Sequence, residues 1–161
     1  MSERPRLEAR QSHQRPHVLI ICDDASLASF LNEGLPLGGF WTSVIASGLQ
    51  AIEVFRLRQF DLILLDAGLT SFAAPELVRR LRGTSSRTSQ GLVRTPAPIV
   101  LIAEPATALP HAELEKLDVV TQVVAPVELD DLVRDLHRIF AEWQESNPDV
   151  PLADFRNLRA E

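Results

Sequence analysis

The sequence holds a single cysteine, Cys22, and no tyrosine. One cysteine excludes an internal disulfide and leaves no basis for a cysteine-based metal cluster. Basic blocks are missing too: 16 Lys and Arg stand against 22 Asp and Glu, a formal net charge of −6. Nucleic-acid affinity rests mainly on cations that neutralise phosphates, so no nucleic-acid partner is expected. No apolar run approaches the roughly 18–20 residues that span a bilayer, so no membrane partner is expected either. Residues 1–16, MSERPRLEARQSHQRP, lack the apolar core of a signal peptide and read as a flexible, slightly basic leader. The cytoplasm is the expected address.

What is present is a regular alternation from His17 to Trp143 of short apolar runs and amphipathic helical patterns. Val18–Cys22 is a β-prone run that stops at two aspartates, and Leu27, Phe30, Leu31 and Leu35 then recur at helical spacing before Gly38-Gly39. Phe40–Ala46 reads as a second strand. Ser47 and Gln50 have capping-box spacing at the head of a helix carrying Ala51, Ile52 and Phe55. Leu62–Leu65 is fully apolar and ends at Asp66, a pattern that suits a strand covered on both faces.

Leu77, Val78 and Leu81 form the next helical stripe, with Gly83 as its stop. The polar stretch Gly83–Pro98 has the composition of a mobile loop. Ile99–Ala103 is expected as strand four, Pro110–Leu117 as a weak helix and Val119–Val124 as strand five. The last helix carries Leu129, Leu132, Val133, Leu136, Ile139, Phe140 and Trp143 on one face. Five such β–α repeats imply an α/β fold, a doubly wound five-stranded parallel sheet with flanking helices. Residues 144–161 read as a tail, either frayed or a short docking helix built on Leu152, Phe155 and Leu158.

In open α/β sheets ligands gather beyond the carboxyl ends of the strands. Two such ends carry acids here: Asp23-Asp24 and Asp66. Were their strands neighbours, two full charges about 5 Å apart would repel by roughly 3 kcal/mol at an effective dielectric of about 20. A hard divalent cation among the oxygens makes such a cluster tolerable, and Mg²⁺ suits carboxylates plus water. The plainer reading is that each aspartate caps the following helix. His13, His17, His111 and His137 have no metal-ligand spacing and are expected to be solvated, and Cys22 is expected to be a buried small hydrophobe.

Taken in order, VLIICDD, GFWTSVIASGLQAIEVF, FDLILLD, PIVLIA and VVAPVELDDLV resemble the receiver domains of two-component response regulators over about four fifths of the chain. The resemblance implies a flavodoxin-like receiver fold and transfer of a phosphoryl group from a histidine kinase to one aspartate, with Mg²⁺ required. It makes Asp66 the phosphoacceptor and gives Asp23, Asp24, Asp66 and Gly68 as the metal set. Cys22 falls where the first acid of the strand-one pair usually stands, unless a one-residue shift makes Asp23 and Asp24 that pair.

The departures from the family pattern are at the switch positions. The usual Thr or Ser at the end of strand four is Ala103, the usual Lys at the end of strand five is Ala125, and the usual aromatic residue is Gln122. After Asp66, the usual Pro is Thr70 and the usual Gly is Ala74. Arg82, Arg87 and Arg94 are expected on the opposite, amino-end face and therefore cannot replace the lysine. The expected function is a stand-alone receiver that acts through protein contacts, without being an enzyme, and with weak or absent phosphorylation. Its expected partners are a histidine kinase or another signalling protein, or a second copy through the helix 4–strand 5–helix 5 face. The alternatives are a conventional phosphoacceptor that passes phosphate along a relay, and a haloacid-type phosphatase. The latter lacks support, because Asp66-Ala67-Gly68 is no DxD motif and Ala125 supplies no Lys.

Overall fold

A computed structural model of the chain describes residues 15–55, 57–83 and 97–148. Its strands are β1 (His17–Ile21), β2 (Trp41–Ile45), β3 (Leu62–Asp66), β4 (Ile99–Ala103) and β5 (Thr121–Val124). Its helices are α1 (Ala25–Leu37), α2 (Gly48–Phe55), α3 (Ala74–Arg82), α4 (His111–Lys116) and α5 (Leu129–Ser146). The strands form one parallel sheet in the order β2-β1-β3-β4-β5. The doubly wound sheet expected from the sequence is thus present. The expected leader at 1–16 lies outside the described residues except for 15 and 16, as does the greater part of the Gly83–Pro98 loop, including Arg87 and Arg94. The last helix runs three residues past Trp143 to Ser146, and the rest of the expected tail beyond 148 lies outside the described residues.

Side chains alternate across a strand, so each central strand feeds two cores. Leu19, Ile21, Ile63, Leu65, Ile99 and Leu101 point to one face, where Ala51 of α2, Leu77, Val78 and Leu81 of α3 and Leu114 of α4 cover them. Val18, Ile20, Leu62, Leu64, Val100 and Ile102 point to the other, against Leu31 and Leu35 of α1 and Leu132, Leu136, Ile139 and Phe140 of α5. Burial on both faces explains why β1, β3 and β4 read as unbroken apolar runs. Fully burying each such aliphatic side chain contributes about 1.5–3 kcal/mol. The edge strands β2 and β5 are only partly covered and mix polar with apolar residues.

Two polar pins hold the amino-end face. His17 is fully buried, contrary to the expectation of a solvated ring. It opens β1 between β2 and β3, where its Nε2 meets Ser43 Oγ at 2.8 Å and its ring packs edge-on against Phe60. Its backbone N–H donates to the buried Asp61 carboxylate at 2.7 Å. Desolvation first, and the nearby Arg58 second, lower its pKa to about 4. Arg82, at the end of α3, donates to the carbonyls of Ala97 (2.6 Å) and Asp118 (2.9 Å), just before β4 and β5. Arg82 is thereby fixed on the face expected for it. His111 and His137 are exposed as expected, although His137 stacks on Phe40 and its Nε2 bonds the Gly38 carbonyl at 2.7 Å.

Candidate functional site

The strand order reverses between β1 and β3: the chain leaves β1 towards β2 and returns to place β3 on the other side. A crevice therefore opens beyond the carboxyl ends of these two strands, because the connections on either side lead away from it. Ile21 is paired with Leu65, and Asp66 with Ile102 of β4, so the residues that follow β1 stand beside Asp66. The resulting cleft has a volume of about 530 Å³. Asp23, Asp24, Asp66, Gly68, Ala103 and Ala125 all line it. Of the three switch positions read from the sequence, Ala103, Gln122 and Ala125, Gln122 does not line the cleft.

Each aspartate has a distinct hydrogen-bond set. Asp66 ends β3 half-buried; its Oδ1 accepts from the Gly68 N–H at 2.9 Å, and its Oδ2 faces the Cys22 thiol at 3.5 Å. A Cβ at position 68 would lie 3.3 Å from Oδ1, so glycine lets this turn sit close under the carboxylate. Asp23 Oδ2 accepts from the Thr70 hydroxyl at 2.6 Å and from the Thr70 N–H at 3.0 Å. These two bonds, the hydroxyl first, hold the Asp23 carboxyl below the usual range. Asp24 is the N-cap of α1, its Oδ1 accepting from Ser26 and Leu27 N–H at 3.0 and 3.2 Å. The capping alternative is therefore the geometry observed for Asp24, although the residue still borders the cleft.

Cys22 follows β1 directly. It is buried beside Asp66, whereas Asp24 turns to cap α1. Burial, followed by the charges of Asp66 and Asp24 and its bond to Asp66, outweighs the Asp24 backbone bond and pushes its thiol up to about 12. The thiol is therefore neutral and acts as a donor, where an acid would add a third negative charge.

Apart from the three aspartates, Gly68, Ser26 and Glu104, the lining is apolar: Leu27, Phe30, Ile102, Ala103, Ala125 and Val127. Ala103 is buried at the end of β4, and its carbonyl accepts from the Ala125 N–H at 2.7 Å, which holds the two methyl-bearing residues on adjacent chain ends. The Ala125–Pro126 peptide is cis. The only lysine of the chain, Lys116, lies in the last turn of α4 and so cannot reach the cleft from the head of β5. Glu104 adds a carboxylate to the rim that the sequence reading missed. The rule that drew attention to Asp66, an acid immediately after an apolar strand, would have found it. Thr70 was noted only for what it replaces, and its grip on Asp23 was not read.

Among the described residues, no group of three or more His, Cys, Asp and Glu side chains is placed to hold a metal ion. The cleft does bring the two carboxylates Asp23 and Asp66 to one lining, with Gly68 beside them. Mg²⁺ usually binds through one or two carboxylates and keeps several waters, so this open set fits its chemistry.

A sensor protein from Polaromonas sp. JS666 is 31% identical to this chain, covers 80% of it and 98% of its own length, and superposes with a TM-score of 0.64. The DNA-binding response regulator MtrA of Mycolicibacterium paratuberculosis is 41% identical over 71 residues, or 44% of this chain. The chain belongs to the response-regulator receiver family. No family model matches the receiver. The match spans 32% of the MtrA regulator's own length, so that regulator's DNA binding does not transfer with it. The fold is also that of the receiver domain of sensor histidine kinase PA1611 from Pseudomonas aeruginosa PAO1, described with a magnesium ion in its active-site cleft. That likeness has a TM-score of 0.64 and 18% identity over 79% of this chain and 98% of the other. No helix among the described residues of the receiver is long and apolar enough to cross a membrane.

Proposed function

We propose that this receiver works as a signalling module through protein contacts, with phosphorylation at Asp66 weak or absent, and that it is not an enzyme. One observation carries the reading: the cleft beside Asp66 presents the methyl groups of Ala103 and Ala125 at the strand ends where family members carry a hydroxyl and an ammonium. Losing one donor that stabilises developing charge typically costs about 10²–10³ in rate, and two are lost here. A phosphoryl group that reached Asp66 would also meet neither partner able to shift the conformational balance.

Mg²⁺ is the proposed cofactor, bound through Asp23 and Asp66 with Gly68, and Asp24 at the rim. Bound there, it would supply positive charge among the carboxylates. The proposed partners are a histidine kinase or another signalling protein in the cytoplasm, or a second copy. For such contacts the α4–β5–α5 face offers the exposed Val120 and Val124 along the open edge of the sheet.

Incubation with acetyl phosphate and Mg²⁺, followed by intact-mass measurement, tests the reading. Little or no added mass is expected. Rapid, near-complete addition of one phosphoryl group would overturn it in favour of a conventional relay receiver, the reading that Asp66's place in the cleft favours.

A further inference from the structure

Gln122 sits in the middle of β5, half-buried, with its side chain turned away from the cleft towards the segment that joins β4 to α4. Its Oε1 accepts from the Leu109 N–H at 2.8 Å, and its Nε2 donates to the Leu109 carbonyl at 3.1 Å. One amide thus satisfies both backbone groups of one residue, as a neighbouring strand would. Leu109 packs against the core below α2, α3 and α4, and Pro110 follows it as the N-cap of α4. The other end of the segment is closed by its own bonds: Glu104 N–H donates to Thr107 Oγ1 at 3.0 Å, and Thr107 N–H to the Glu104 carbonyl at 2.9 Å. Glu104 and Ala103 line the cleft, so the same short segment forms one wall of the acid site and sets where α4 begins.

We propose that Gln122 is a fixed latch that holds the 104–110 segment, and with it the start of α4, in one conformation whatever the charge at Asp66. The proposal rests on the phosphate-independent reading above and names how the contact face stays constant. The physical reason is that neither Gln122 nor Leu109 lines the cleft, so both bonds of the latch are made outside it. Its strength comes from a two-point amide–backbone contact that no group at the cleft competes for. A side chain that swung between the two places would couple them; an amide bonded twice to backbone has no reason to leave.

Hydrogen exchange on the full chain, resolved by residue or short peptide, tests this. Gln122→Met keeps length and apolar volume but removes both bonds, and Gln122→Ala removes the packing as well. Each lost bond is worth a factor of several, so both variants are expected to raise exchange at residues 105–112 by about tenfold or more. Exchange in β1 and β3 is expected to stay unchanged. A general loss of stability would instead raise exchange in all strands together, and this would overturn the latch in favour of a plain packing role. Asp66→Asn, in the otherwise native chain, removes the cleft charge at that position, with one acceptor oxygen exchanged for an amide, and is expected to leave 105–112 unchanged. A change there of more than about threefold would show that the segment responds to the cleft and would overturn the proposal. Unaltered exchange in Gln122→Met would overturn it equally. Neither outcome bears on the acetyl phosphate result, so failure of the latch and failure of the phosphate-independent reading are distinguishable.

Discussion

Thr70 grips Asp23 through a single oxygen: its hydroxyl and its backbone N–H both donate to Oδ2, at 2.6 and 3.0 Å. The two residues are 47 apart in the chain, and they join the loop after β3 to the loop after β1 across the mouth of the cleft. Among the described residues no cation lines the cleft, and these donors do part of the charge balancing.

Thr70→Val preserves shape and removes the hydroxyl. The Asp23 carboxyl is expected to titrate higher, closer to its ordinary value of 3.8, as followed by carboxyl-carbon NMR. A depressed folded-state pKa contributes stability that is present above the unfolded value and is lost as pH falls through the folded one. The native protein's extra stability from this contact should therefore disappear only below about pH 4, the ordinary carboxylate range. An unmoved titration would remove Thr70 as the cause.

Restoring the missing groups should restore the chemistry. The double variant Ala103→Thr, Ala125→Lys places a hydroxyl and an ammonium at the two strand ends that border Asp66 in the cleft. Incorporation of phosphate from acetyl phosphate, timed by intact mass, is expected to rise by about 10²-fold or more over the native protein. Equal rates would mean that another step limits the reaction.

Cys22 gives a handle on the metal. Its neutral thiol lies 3.5 Å from Asp66, where a carboxylate would add a third hard ligand and a third negative charge. Excess Mg²⁺ is expected to raise the melting temperature of the native protein relative to EDTA. A ligand at 100 times its Kd that binds only the folded state stabilises by about 2.7 kcal/mol. Cys22→Asp is expected to melt lower than native in EDTA and to gain more from Mg²⁺. Identical native melts in Mg²⁺ and EDTA would count against a metal at this site.

His17 makes stability depend on pH. Its pKa is lowered to about 4 in the folded chain, against 6.5 when free. The unfolded state therefore binds the proton more readily, and stability falls as pH drops from about 6.5 to 4. The shift corresponds to a loss on the order of 3 kcal/mol. Urea unfolding across that range should show the decline, and His17→Gln, which cannot titrate, should flatten it. A slope unaffected by the substitution would assign the decline to other groups.

Much of the fold was legible along the chain, for a physical reason. β1, β3 and β4 are buried on both faces, so they had to be continuous apolar runs, and the acids that end β1 and β3 were conspicuous against them. The same logic put Asp66 at a strand end, and the resemblance to the receiver family marked Ala103 and Ala125 as positions without donors. These are properties of local pattern and residue type, which the sequence alone determines.

Pairings between distant loops were decided by the tertiary structure. The sequence left open whether position 22 with Asp23, or Asp23 with Asp24, forms the acid pair; the register of β1 against β3 puts Cys22 next to Asp66 and leaves Asp24 to cap α1. Thr70 reached Asp23, and Gln122 reached Leu109, only because parallel strands bring successive loops to one edge. His17 became a buried, neutral ring because β1 runs down the middle of the sheet, which no periodicity around a single histidine reveals. The chain itself specifies which groups border the cleft; the sheet order specifies which of them hold one another.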